Sequence, residues 1–241
     1  MSRRLIESLG GLLFPTRAVC LGCGDPAGLE EDWLCGHCRA RLSPGVHAVS
    51  SDMWPEDGVS RAWFALYYED PAASLIRHFK YDGVFRLAPF LVECMGPLFE
   101  PLRAERFDCV VPVPLHEKRL RERGFNQAEL IASLVARELG LPLYAAVRRT
   151  RNTPRQARLS ADARRNNVRS AFLCERSLNG FRVLLVDDVF TTGSTANSCA
   201  AAIHAAGASD VQALTCAGSR RYRGRSGMIY RKKPASISSK P

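Results

Sequence analysis

The stretch Val183–Thr195, VLLVDDVFTTGST, constrains the fold of this chain more than any other. Val183 to Val186 form an apolar, β-branched run that suits a strand buried on both faces of a parallel sheet, ending on two adjacent acids, Asp187 and Asp188. A hydroxyl-rich turn around Gly193 follows, and Ala196 to Ala206 read as a helix. Strand, acid pair, anion loop and helix is the order in which open α/β sheets present ligand sites, at the carboxyl ends of their strands.

The chemistry of the turn points the same way. Thr191, Thr192, Ser194 and Thr195 bring hydroxyls and backbone N–H groups to a helix start, and Gly193 lets the backbone approach a ligand, a combination that suits a phosphate. Ionised Asp187 and Asp188 only accept hydrogen bonds, so they could hold sugar hydroxyls or a hydrated Mg2+ beside that phosphate. A phosphorylated ribose offers both at this spacing. Strand-Asp-Asp also occurs in the magnesium strand of P-loop ATPases, in acidic receiver pockets and in solvated strand ends. The chain has no G-x-x-x-x-G-K-[ST], so the ATPase reading lacks its phosphate cradle.

Cys20, Cys23, Cys35 and Cys38 form C-x2-C-x11-C-x2-C, two thiolate pairs on tight turns, which is the donor set of a structural, tetrahedral Zn2+ site. His37 adjoins the last of them, but four cysteines already close the shell. The other five cysteines, Cys94, Cys109, Cys174, Cys199 and Cys216, lie in apolar settings and read as buried thiols. Thiols and metal ligands rather than disulfides fit a cytoplasmic protein. Glu7 and Pro15 interrupt the apolar start of the chain, which argues against an export signal or membrane span, and Leu5, Ile6, Leu9, Leu12 and Leu13 share one helical face instead.

Further strands are expected at Ala62–Tyr68, Phe107–Val111 and Val211–Cys216, and helices at Pro71–Lys80 and Ala128–Leu139. Ser50–Ser60, polar and carrying Pro55 and Gly58, reads as a linker. Pro112-Val113-Pro114-Leu115 must end the second strand in a stiff loop, after which Lys118, Arg119, Arg121 and Arg123 form a basic loop or merely a solvated face. The net charge of +10 is uneven: Ser219–Pro241 holds eight of the 34 Lys/Arg and no acid, so this tail reads as disordered and the body is nearly neutral. Arg148–Arg169, polar and arginine-rich, suits either a closing loop or a patch for a nucleic-acid backbone.

VLLVDDVFTTGST resembles the phosphoribosyl-pyrophosphate (PRPP) motif of type I phosphoribosyltransferases. Together with VVPVPLHEKRLRERGFNQAELIA at 110–132, QARLSADARRNN at 156–167 and the four-cysteine module, the chain resembles the ComF family of competence-associated phosphoribosyltransferase-like proteins over about Cys20 to Cys216. The resemblance implies an α/β fold: a type I phosphoribosyltransferase-like, mostly parallel central sheet with helices on both faces. It also implies a small zinc-ribbon-like module; the chain then divides into module at 1–50, main domain at 61–218 and, outside the family pattern, the basic tail at 219–241.

In that frame Asp187 and Asp188 hold the ribose hydroxyls and Thr191, Thr192, Gly193, Ser194 and Thr195 bind the 5′-phosphate. Lys80, Lys118, Arg119, Arg121 and Arg123 meet the pyrophosphate with Mg2+, and Arg148–Arg169 forms a hood. The implied activity is phosphoribosyl transfer to an unidentified acceptor, linked to competence and DNA uptake. The rival is a non-catalytic module or scaffold that grips single-stranded DNA or docks a DNA-uptake helicase.

Overall fold

The computed structural model describes residues 19–26, 33–50, 54–150 and 171–222. The N-terminal helical face, residues 151–170 with most of the expected hood, and the tail from residue 223 lie outside the described residues. The elements, in order, are α1 (Gly36–Arg41), β1 (His47–Ser50), β2 (Arg61–Tyr67), α2 (Ala72–Tyr81), α3 (Leu87–Cys94), α4 (Gly96–Ala104) and β3 (Cys109–Pro112). Then come α5 (Glu117–Arg123), α6 (Gln127–Leu139), β4 (Val147–Arg149), β5 (Phe172–Cys174), β6 (Arg182–Phe190), α7 (Ser194–Ala205) and β7 (Asp210–Gly218).

Five strands form one sheet in the order β1-β2-β7-β6-β3, parallel throughout except for the antiparallel edge strand β1. β4 and β5 form a separate antiparallel pair. The interior strand β6 shows why the sheet is two-sided. Its side chains alternate, so Leu184 and Val186 join one hydrophobic cluster with α2, α3, α4 and α6, whereas Val183 and Leu185 join a second with α7, β4 and β5. All four are fully buried, as a strand covered on both faces requires. Pro112 is tolerated in β3 because β3 is an edge strand and Pro112 is its last residue.

The helix at Ala72–Tyr81 buries Leu75, Ile76 and Phe79 on one face, as the periodicity predicts. Three expectations are revised. First, β6 does not stop at the acids: β7 runs alongside as far as Gly218, and the ladder continues through Asp187↔Thr215, Val189↔Ala217 and Phe190↔Gly218. Second, the described part of Ser50–Ser60 is docked rather than a free linker. Val59 is buried and its N–H donates to Asn197 Oδ1 at 3.1 Å, while Ser60 N donates to Val211 O at 2.8 Å. Third, Ser219–Tyr222 begins the basic tail by charge, yet it folds back. Tyr222 is fully buried, with ring contacts to Phe190 at 5.7 Å and Trp54 at 6.4 Å, because one aromatic side chain outweighs its solvated basic neighbours.

The end of β7 is close-packed. A Cβ on Gly218 would sit 2.5 Å from Cδ1 of the buried Phe64 ring, so Gly218→Ala is expected to cost about 2 kcal/mol by overpacking. The urea midpoint of the variant against the wild type measures this.

Candidate functional site

Alternation along β6 also distributes the acids. Asp187 follows Val183 and Leu185 toward the face of α7 and β4, and Asp188 follows Leu184 and Val186 toward the face of α2. Each face supplies a cation. From α2, Lys80 Nζ lies 2.8 Å from Asp188 Oδ1, both side chains being largely shielded (18% and 9% exposed). From β4, Arg149 lies near enough to Asp187 for each charge to favour the other's ionised form. Arg149 also packs over Phe172, with its Cζ 5.4 Å from the ring centroid.

The electrostatics of the pair are unequal. Burial, followed by repulsion from Asp188, pushes the Asp187 carboxyl up to about 7, although Lys80, the Asp188 N–H and Arg149 all pull it down. Burial works against the Lys80 ammonium, but Asp188 first and then Asp187 more than offset this and hold its pKa above the usual lysine value. Burial and then Arg119 depress Arg149. Two acids with two partly buried cations on opposite faces can orient a polar, anionic ligand at the sheet's carboxyl edge.

Beyond the acids, the chain turns at Thr191–Gly193 into α7. Gly193 caps the helix at φ 77, where a side chain is strained, and an added Cβ would meet Phe190 Cζ at 2.8 Å and Trp54 Nε1 at 3.2 Å. No side chain of the cap residue closes this helix start. Ser194 N donates to Thr192 Oγ1 at 3.3 Å, while Thr191, Thr192, Ser194 and Thr195 are exposed. The opening N–H groups of a helix have no intrahelical partner, so this turn is chemically suited to an anion. Beneath it lie Trp54, Phe190 and Tyr222, the first and last of which the motif does not reveal because they come from distant segments.

The structure disperses the expected basic loop. Lys118 to Arg123 lie on α5, a helix capped by His116, whose Nδ1 accepts from Lys118 N at 3.2 Å, and ended by Gly124 in the left-handed conformation. Lys118 is exposed, and Arg121 pairs with Glu117 at 3.6 Å in the open. Arg123 donates to Gln127 Oε1 at 3.0 Å and stacks 4.9 Å from the Tyr81 ring. Arg119 lies near enough to Arg149 to depress its pKa, which ties this member of the cluster to the acid site. Arg149 itself is hidden in the sequence among many arginines and becomes visible only through the β4–β5 pairing.

Cys94, Cys109, Cys199 and Cys216 are buried as expected, whereas Cys174 is half-exposed because β5 lies in the small outer pair of strands. The four N-terminal sulfurs converge, all within 4.8 Å of one another, with Cys23 Sγ and Cys35 Sγ 3.8 Å apart. Zn–S bonds of about 2.3 Å in a tetrahedron place sulfurs roughly 3.8 Å apart, so the cluster fits a zinc ion. Burial disfavours the Cys20 thiolate, but N–H donors from Cys35, Cys23 and Gly22 prevail and hold it at about 6. Cys38 is pushed up to about 12 by burial, then by hydrogen bonds with Cys23, Cys20 and Cys35, and last by the Cys20 charge. Cys20, Leu34 and Cys38 belong to the hydrophobic cluster on the α2 face, so the knuckle is packed onto the sheet. No helix among the described residues is long and apolar enough to cross a membrane.

No family model matches the chain. The chain is 31% identical over 217 residues to "Competence protein F" of Haemophilus influenzae, covering 87% of this chain and 94% of the relative. It is 33% identical over 203 residues to "DNA utilization protein YhgH" of Salmonella typhi, covering 81% and 82%. To "Competence protein ComFC" of Bacillus subtilis it is 27% identical over 191 residues, covering 76% and 77%.

Two expected outcomes follow from this geometry. Metal analysis of the purified protein should give about one zinc per chain, lost together with several degrees of thermal midpoint in Cys38→Ser; a metal-free chain with an intact N-terminal fold would argue otherwise. The second concerns Asp187, whose folded-state pKa of about 7 exceeds the ordinary carboxylate value. Between about pH 4 and 7 the folded state keeps a proton that the unfolded state has released, so stability from this group is full at low pH and lost as pH rises through 7. Asp187→Asn should therefore raise the thermal midpoint by roughly 3–6 °C at pH 8 and by little at pH 4, as differential scanning calorimetry across that range would read.

Proposed function

The chain belongs to the ComF family, and from that premise we propose that it binds PRPP, or a related ribose 5-phosphate, at the carboxyl end of β6, as a phosphoribosyltransferase-like protein serving DNA uptake or utilisation. The observation that carries this reading is the split acid pair. Asp187 and Asp188 sit side by side on opposite faces of β6, with Lys80 against Asp188 and Arg149 beside Asp187, a few residues ahead of a helix whose glycine cap offers no side chain.

In this reading the two carboxylates accept hydrogen bonds from the ribose 2′- and 3′-hydroxyls, and the Thr191–Thr195 turn receives the 5′-phosphate on its hydroxyls and backbone N–H groups. Lys80 is shared between Asp188 and the incoming pyrophosphate, with Arg119 and Arg149 as further positive charges on the other side. Mg2+ bound with the pyrophosphate would supply charge neutralisation of the leaving group. Transfer then breaks the bond between ribose carbon 1 and the pyrophosphate oxygen and forms one to the acceptor. The chain contributes position and charge to an oxocarbenium-like ribose rather than a covalent nucleophile.

The names of the relatives, competence and DNA utilisation, support a role in which this ligand chemistry serves DNA handling. Single-stranded DNA and a DNA-uptake helicase are the partners that this role would bring, and the exposed cations of α5 are suited to a phosphate backbone.

Calorimetry with PRPP and Mg2+ tests the reading. The wild type should bind, and Asp187→Asn with Asp188→Asn should weaken binding at least about 100-fold, since two charged hydrogen-bond acceptors are lost. Equal affinity of the double variant and the wild type would sink the assignment.

A further inference from the structure

Three consecutive residues at the end of α2 are each held by a residue of the junction at which α5 ends and α6 begins, Arg123 to Gln127. The Phe79 ring packs against Phe125, with centroids 5.8 Å apart. The Lys80 carbonyl accepts from Gln127 Nε2 at 3.5 Å. The Tyr81 ring lies under the Arg123 guanidinium at 4.9 Å. The two polar grips are joined to each other, because Arg123 Nη1 donates to Gln127 Oε1 at 3.0 Å.

The physical sense of these contacts lies in how a helix ends. The last carbonyls of α2 have no successor N–H within the helix. Asp82 N satisfies His78 O, and the side-chain amide of Gln127 reaches Lys80 O. Gln127 is 1% exposed and both ends of its amide are committed, so it is a built part of the interior rather than a surface residue that happens to touch a neighbour. Asn126 fixes its position by capping α6, accepting from Ala128 N at 3.1 Å, and by donating to Val113 O at 3.2 Å in the loop after β3. A lysine side chain has four rotatable bonds, and its ammonium is placed reproducibly only if its main chain is held. Here the held main chain leads to the 2.8 Å contact with Asp188.

We infer that Gln127 and Arg123 are positioning residues for Lys80: the Arg-Gly-Phe-Asn-Gln turn clamps the end of α2 so that the lysine ammonium stands against the acid pair. Arg123 thus acts through Tyr81 and Gln127, and not as a direct phosphate ligand. The consequence for ligand binding rests on the reading that the acid pair holds a ribose phosphate; the clamp itself does not.

The experiment therefore has a ligand-free arm. The full chain is acetylated with an N-hydroxysuccinimide ester and the rate at each lysine is read by mass spectrometry, with exposed Lys118 as the internal reference. Gln127→Met and Arg123→Met are expected to speed Lys80 labelling at least about 5-fold relative to Lys118 without a matching drop in thermal midpoint, as loss of a specific grip requires. Arg123 lies half-buried at a helix end, so its variant keeps the arm readable where Gln127→Met fails to fold. Unchanged Lys80 labelling in a folded variant overturns the clamp.

The second arm measures PRPP affinity with Mg2+. Each variant should weaken binding about 10-fold in the wild-type background and by nothing further in Lys80→Met, the signature of residues acting through one another. Full additivity in that background also overturns the inference. If the wild type does not bind PRPP at all, the failure belongs to the functional reading, and labelling alone decides the clamp.

Discussion

Two adjacent carboxylates, Asp188 buried and Asp187 half-buried, at the carboxyl end of a parallel strand are the constraint on which the rest of this structure depends. Charges there are costly unless they are paired, and β-strand alternation sends the two acids to opposite faces of the sheet. The fold answers with a cation on each face, Lys80 from α2 and Arg149 from β4. Neither pair is best understood as a source of stability, since desolvation consumes most of the Coulombic gain. What the arrangement supplies is a fixed pattern of charge at the edge where β6 hands the chain to α7.

Much of the molecule can be read as support for that pattern. One hydrophobic cluster packs α2, α3, α4, α6 and the cysteine knuckle against Leu184 and Val186, holding the element that carries Lys80. The other packs α7 and the β4–β5 pair against Val183 and Leu185, holding the turn and Arg149. Trp54, Phe190 and Tyr222 close the underside of the Gly193 turn, so segments more than a hundred residues apart are joined under one loop. A metal at Cys20, Cys23, Cys35 and Cys38 would act at a distance from the acids, by fixing a knuckle that completes the α2 face.

Legibility in the sequence followed the range of the interactions. The buried strand, the acid pair, the glycine turn and the helix after it are local, and the structure has them at the expected positions apart from the extension of β6 to Phe190. That extension depends on the length of the neighbouring strand β7, which a window along β6 does not contain. α3, α4 and the pairing of Val147–Arg149 with Phe172–Cys174 were equally hidden, the last because its partners flank a long polar stretch. The cluster Lys118–Arg123 was read as one basic patch, but helical geometry turns its members in different directions and tertiary contacts give Arg123 a separate task.

The sequence by itself determined the donors: two acids after an apolar run, four thiols in two close pairs, hydroxyls around a glycine, and a lysine at the end of an amphipathic helix. Period and spacing are enough for that, because each depends on residues a turn or a strand apart. Only the tertiary structure decided which charges face one another. It set Lys80 on Asp188 and Arg149 beside Asp187, raised the Asp187 carboxyl to about 7 by burial, and turned Gln127 inward onto the carbonyl of Lys80. Those outcomes depend on distance and dielectric between segments brought together by folding, and neither quantity is written in the order of the residues.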